Sequence, residues 1–275
     1  MIPLKSYICG CARNCKEFLP NVFINIEKVI ELLDDFHIVI AFDVSNDATL
    51  HELYEWRTKF RNKMTIVHNN EDLSYLRVKN ISNARNRILR HMEEDNEHAD
   101  FDYFINMDMD DVCASPININ VLEDVLNKER NGESKWDVLS FHRKPYYDVW
   151  AFSGKPYYFS CWNFPRGFEA VAQIRDYLES ELDNRDAEDL MEVLSAFNGF
   201  AIYRKSAMKD CYYDWNIRSS ANLLGKERIE ETAEALRQYV IRAKMDQDCE
   251  HRFFHLSAIE KNGAKIYISP AILFS

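Results

Sequence analysis

No stretch of the 275-residue chain approaches the roughly twenty consecutive apolar residues that a membrane-spanning helix needs. A membrane span is not expected. Basic residues are in deficit, 34 Lys and Arg against 45 Asp and Glu, which leaves a formal net charge of −11. That balance argues against a nucleic-acid or anionic-membrane surface, and any anionic ligand needs local help such as a metal ion. A disulfide pattern is also missing: the seven cysteines Cys9, Cys11, Cys15, Cys113, Cys161, Cys211 and Cys249 are odd in number and scattered, which favours a reducing compartment. Cys9, Cys11 and Cys15 have no second cluster to complete a four-ligand zinc site. The first strand is not followed by a Gly-rich, lysine-bearing phosphate loop. The opening Met1-Ile-Pro-Leu-Lys5 runs directly into a strand and not into a signal peptide, so the expectation is a soluble, cytoplasmic protein.

What the chain does have is a core. At 47% hydrophobic it can bury one large domain, or a domain with a subdomain. Its organising stretch is Tyr103-Phe-Ile-Asn-Met-Asp-Met-Asp-Asp-Val-Cys-Ala-Ser-Pro116. Residues 103–107 form an apolar, strand-forming run; Asp108, Asp110 and Asp111 follow at once, and Pro116 blocks continuation of the ladder. Three carboxylates within four residues repel one another and lose hydration, so a cation or hydrogen-bond donors must offset them. Oxygen-only ligands suit Mn²⁺ or Mg²⁺, which take one or two carboxylates and complete their shells with water and phosphate.

Around this stretch the chain alternates strand and helix. Strands are expected at residues 4–9, 37–42, 64–68 and 103–107, and helices at 20–34, 49–60 and 82–92, with Thr49 and Glu52 as a capping box. Such alternation builds a mostly parallel α/β sheet flanked by helices, and ligands bind beyond the carboxyl ends of its strands. Arg13, Asn14, Asp43 and the Asp108 cluster all follow strands directly. The topology gathers them along one edge.

Asp43-x-Ser45-x-Asp47-x-Thr49, Ala84-Arg85-Asn86 and Met107-Asp-x-Asp-Asp-x-x-x-x-Pro116 resemble, in order and spacing, the motifs of GT-A fold glycosyltransferases, most of all family 2. The likeness covers roughly the first 120 residues. It implies a GT-A, Rossmann-like α/β domain whose residues 1–116 bind a nucleotide-sugar, UDP- or GDP-linked, and whose residues 117–275 bind a glycan or other hydroxyl acceptor. It further implies that Asp43 contacts base or ribose, that Asp108 lies near the ribose, that Asp110 binds the cation, and that Asp111 contacts the sugar or supports the site. Arg13, Asn14, Arg85 and Asn86 would line the donor pocket. The usual proline and tyrosine of the first loop are absent, as is an aspartate at Phe42, which bears on base recognition more than on the metal.

In the carboxyl half, strands are expected at 136–142 and 146–152, helices at 168–183, 187–194 and 225–245, a Gly-containing strand at 197–203, and a last strand at 265–269. The aromatics between Tyr146 and Phe164 suit either sugar stacking or an ordinary core, and the run around Gly199 resembles the strand near the acceptor site of GT-A enzymes, where glycine lets a sugar approach the backbone. A helix over residues 245–256 would put Asp248, His251 and His255 on a polar face, with Cys249, Phe253 and Leu256 turned to the core. By the resemblance, Asp248 or Glu250 serves as catalytic base and His255, before His251, as a further metal ligand. The expected function is a metal-dependent, inverting hexosyl- or pentosyltransferase. The alternatives are a non-catalytic carbohydrate-binding protein on the same scaffold and a sugar nucleotidyltransferase, against which the missing phosphate loop counts.

Overall fold

The computed structural model describes residues 2–240 and 246–274. By internal contact the chain divides into two compact units, one comprising residues up to Lys135 with Gly199–Ser206 and the segment from Leu273, the other Trp136–Asn198 with Ala207–Ile272. The expected boundary at residue 116 falls inside the first.

In the first unit, strands β1 (Lys5–Ala12), β2 (Asp35–Phe42), β3 (Met64–His68) and β4 (Tyr103–Met107) are parallel, in the order β3-β2-β1-β4. Central β1 registers Cys9 against both Val39 and Asn106. Near-continuous apolar runs such as Ile38-Val-Ile-Ala-Phe42 are what strands covered on both faces require, and all of these residues are buried. Helices α1 (Leu19–Ile30), α2 (Thr49–Phe60), α3 (Arg77–Glu94) and α4 (Ile119–Arg130) supply the cover. Helix α1 buries Val22, Ile26 and Val29 at helical spacing, as the sequence pattern requires.

In the second unit, β5 (Val138–His142) pairs in parallel with β8 (Ile266–Ile272), which takes β6 (Met191–Val193) antiparallel on its other side. Helices α5 (Gly167–Asp183), α6 (Ile217–Leu236) and α7 (Glu250–Asn262) accompany them. Strand β7 (Phe200–Arg204) belongs to the first unit, where it pairs antiparallel with β4.

Several expectations are corrected. Residues 146–152 form no strand, because side chains serve their backbone: Glu179 accepts from the Tyr146 N–H, Asn198 from those of Tyr147 and Asp148, and Arg252 donates to the Trp150 and Phe152 carbonyls. The expected helix at 187–194 is instead a turn leading into β6. Helix α6 begins earlier than expected, at Ile217, and is interrupted at Gly225 (φ +75°); the last five residues of the expected 225–245 helix lie outside the described residues. There is no Thr49 capping box. Asp47 accepts from the Thr49 N–H and hydroxyl, while the Thr49 hydroxyl accepts from the Cys15 N–H.

Candidate functional site

Beyond the carboxyl ends of β1, β2 and β4, the first unit opens a cleft of about 270 Å³, closed on one flank by the first turns of α3. Its acids are Asp43, Asp108 and Asp110, and its bases Arg13, Arg77 and Arg85. Three strand ends and one helix thus collect charges that are as much as 97 residues apart in the chain.

The loop after β1 is latched to the loop after β2. Asn14 is held at φ +51° with its N–H on the Ser45 hydroxyl at 3.1 Å and its side-chain oxygen accepting from the Asn46 N–H at 2.7 Å. Ser45 in turn donates to the Asp43 carbonyl, and Asp47 accepts from the Lys16 N–H. The Ser45, Asp47 and Thr49 side chains therefore shape the wall of the cleft. Asp43 projects into it, 5% exposed, with its carboxylate 2.5 Å from Nη2 of Arg87.

The acidic stretch turns as its composition suggests. The Asp108 N–H donates to the Gly199 carbonyl, and its carboxylate lies 3.4 Å from Nη2 of Arg85. Asp110 starts a short 3₁₀ turn, accepting from the Val112 N–H at 3.2 Å. Partial burial, and after it the charge of Asp111, raises the Asp110 carboxyl above the ordinary carboxylate range. A carboxylate so disfavoured is one that a cation would stabilise. Among the described residues no three His, Cys, Asp or Glu side chains converge as a metal cage, so a cation here would rest on one or two carboxylates and draw its remaining ligands from water and bound phosphate, which is the Mg²⁺ and Mn²⁺ habit. The donor set fits such an ion.

Some expected residues are placed otherwise. Asp111 is exposed and does not line the cleft. Helix α3 starts at Arg77, so Arg85 and Asn86 stand in its third turn and not at its start; Asn86 turns to a second cleft on another face of the helix. Gly199, expected to admit a sugar, is occupied by packing: at φ +92°, a Cβ there would lie 2.4 Å from Cγ1 of Val112. In the second unit α7 begins at Glu250, so Asp248 and Cys249 precede it. The expected polar face is buried, with Asp248, His251 and His255 each at most 1% exposed. Asp248 pairs with Arg252 at 2.9 Å, His255 Nδ1 lies 2.9 Å from the Ser195 hydroxyl, and Glu250 is 6% exposed. Sequence reasoning passed over Arg77 and Arg87. The signal for both was the run of bases at positions 77, 79, 85, 87 and 90 on a helix facing acidic strand ends.

No family model matches the chain, and no curated protein matches it in sequence. Solved structures do match. The chain is similar to residues 1–349 of Staphylococcus aureus TarS in complex with UDP, at 15% identity and a TM-score of 0.50, over 98% of this chain and 59% of that one. The chain has the GT-A fold. It thus spans about three-fifths of that TarS structure. A mannosyltransferase from Pyrobaculum calidifontis in complex with GDP-Man and Mn²⁺ also matches, at 11% identity and a TM-score of 0.45, over 94% of this chain and 70% of that one. No described helix of this GT-A chain is long and apolar enough to cross a membrane.

Proposed function

We propose that this protein is a glycosyltransferase that takes a sugar from a nucleotide-diphosphate donor, uses a divalent cation, and passes the sugar to a hydroxyl acceptor. The observation that carries the reading is the cleft itself: Asp43, Asp108 and Asp110 beside Arg77 and Arg85, at the carboxyl edge of a parallel sheet in a GT-A fold. Acids alone would repel a diphosphate and bases alone would need no metal; both together suit a ligand with hydroxyls at one end and phosphates at the other. UDP in the TarS complex, and GDP-Man with Mn²⁺ in the Pyrobaculum enzyme, are ligands of this class.

Asp43, paired with Arg87, would accept from base or ribose, and Asp108, beside Arg85, from ribose hydroxyls. Arg77 and Arg85 offer guanidinium donors to phosphate oxygens, the geometry in which arginine excels. Asp110, aided by Asp108, would hold Mn²⁺ or Mg²⁺, which when bound neutralises charge developing on the nucleoside diphosphate leaving group. Direct displacement with inversion also requires a carboxylate to take the acceptor proton. Of the two candidates, Asp248 is spent on Arg252, which leaves Glu250, at the first turn of α7, as the base. His255 we retain only as a further metal-ligand candidate, its ring bonded to Ser195.

The test is turnover of a panel of UDP- and GDP-sugars with and without Mn²⁺, hydrolysis included, so that no acceptor need be known. Mn²⁺-dependent release of one nucleotide, lost in Asp110→Asn, supports the reading; no nucleotide bound or released under any condition removes it.

A further inference from the structure

A second and larger cleft of 520 Å³ opens in the first unit, between α3 and the end of β3, the edge strand of the parallel group. Two faces of one helix serve the two clefts. Arg77, Asn80, Ala84 and Arg85 line the acid cleft, whereas Asn83, Asn86, Arg87 and Arg90 line the other. At 3.6 residues per turn the mean directions of these sets differ by roughly a third of a turn.

The lining of the second cleft is rich in donors. Its half-buried floor carries three carboxamides, Asn69, Asn83 and Asn86, with the Arg87 guanidinium and the His91 imidazole. Arg90 and His68 stand exposed at the rim, and the acids there, Glu71 and Glu94, are exposed too and face water. Nε of Arg87 and Nε2 of His91 are buried without a hydrogen-bond partner. An arginine Nε always carries its proton, so a donor is left without an acceptor, which is costly where nothing compensates. Arg87 also joins the clefts. It lines one while its Nη2 grips Asp43, which lines the other.

We propose that the β3–α3 cleft binds a phosphate-class oxyanion, free or as a small monoester, and that this occupant competes with Asp43 for Arg87. Guanidinium, imidazole and carboxamide groups lining one cleft are the complement of a tetrahedral oxyanion. Drawing Arg87 away leaves the buried Asp43 carboxylate uncompensated and adds negative charge to the acid cleft. Occupancy of the second cleft therefore weakens nucleotide binding in the first, and by linkage the nucleotide weakens the oxyanion equally. This coupling rests on the nucleotide reading given above; the oxyanion site does not.

The experiment is calorimetric titration of the full chain with inorganic phosphate and, separately, with glycerol phosphate, in wild type, Arg90→Ala and Arg77→Ala. Arg90 is exposed and its Nε reaches only its own helix, so the substitution spares the fold. Wild type and Arg77→Ala are expected to bind both probes, and Arg90→Ala to bind about tenfold more weakly, the loss of one charge-assisted hydrogen bond. The tighter probe identifies the source. No binding, binding unchanged in Arg90→Ala, or binding lost in Arg77→Ala instead overturns the site, the last because phosphate would then occupy the acid cleft. UDP is next titrated without phosphate and with phosphate at a level that fills most of the wild-type site but leaves that of Arg90→Ala mostly empty. A several-fold loss of UDP affinity in wild type, much smaller in Arg90→Ala, is expected, and an equal loss in both overturns the coupling. If UDP does not bind, GDP takes its place; failure of both to bind strikes the nucleotide reading and leaves the phosphate titrations to judge the site.

Discussion

Asp248 and Arg252 form an ion pair at 2.9 Å in which neither side chain is exposed to solvent at all. The Arg252 guanidinium also donates to the carbonyls of Trp150, Phe152 and Tyr158 at 2.5–3.0 Å, and so binds the strandless segment around residue 150 to the start of α7. A charge buried this deeply is tolerable only with every donor and acceptor satisfied.

Arg252→Met removes all of that at once and strands a buried carboxylate. The expected cost is about 3–5 kcal/mol, read as a lower denaturation midpoint with an unchanged slope. Asp248→Asn should fall in the same direction. A stability equal to wild type in both variants would mean that the pair is not what holds this segment.

Asp110 predicts the opposite sign. Its carboxyl titrates above its ordinary value because burial and Asp111 disfavour the charge, so between the unfolded and the folded titration the folded state binds more protons than the unfolded state. Stability from this group is fully present below the unfolded pKa and declines as pH rises past it. Without cation at neutral pH, Asp110→Asn should raise the melting temperature while abolishing turnover. Melting temperatures measured with a chelator, and again with Mn²⁺, check this: added Mn²⁺ should stabilise the wild type and leave the variant unmoved.

His37 supplies a pH dependence of its own. It is 5% exposed, with Nε2 on the Thr65 hydroxyl at 2.9 Å and the His98 ring 4.5 Å away. Burial first, and then the neighbouring His98, lowers its pKa to about 4. Below pH 6.5 the unfolded chain takes up a proton that folded His37 refuses. Stability is therefore lost as pH falls from about 6.5 towards 4, by roughly 2–3 kcal/mol. Denaturation midpoints across that window should show a shallower fall in His37→Gln; parallel curves would exclude His37 as the cause.

Gly199 and Gly225 separate strain from collision. Both have positive φ, but a Cβ at Gly225 meets nothing within 4 Å, whereas one at Gly199 runs into Val112, next but one to Asp110. Gly225→Ala should cost about 1 kcal/mol. Gly199→Ala should cost clearly more and weaken Mn²⁺-dependent nucleotide binding, because the acidic turn has to move. Calorimetry on both variants checks the ranking.

The contrast between the halves explains what could be read from sequence. Helix α2 and strands β3 and β4 have the boundaries that their periodicity and turn residues define, and the edge that gathers Asp43, Asp108 and Asp110 follows from parallel topology alone. Arg87 escaped notice because its partner lies 44 positions away and no local pattern marks a salt bridge of that span. The face carrying His251 and His255 was misjudged because polar residues were read as solvent-facing, while the structure buries them with tertiary partners such as Ser195. Residues 146–152 carry strand-forming aromatics, and only the long-range demands of Arg252, Glu179 and Asn198 hold them out of a sheet.

The central claim is that the acid cleft of the first unit holds a nucleoside diphosphate together with a divalent cation. Titration of UDP and GDP into wild type and Asp110→Asn, each with Mn²⁺ and with a chelator, tests it most directly. The account predicts that one nucleotide binds the wild type at least about tenfold more tightly with Mn²⁺, and that this gain disappears in Asp110→Asn. Binding that ignores the cation, or that survives intact in the variant, would contradict it.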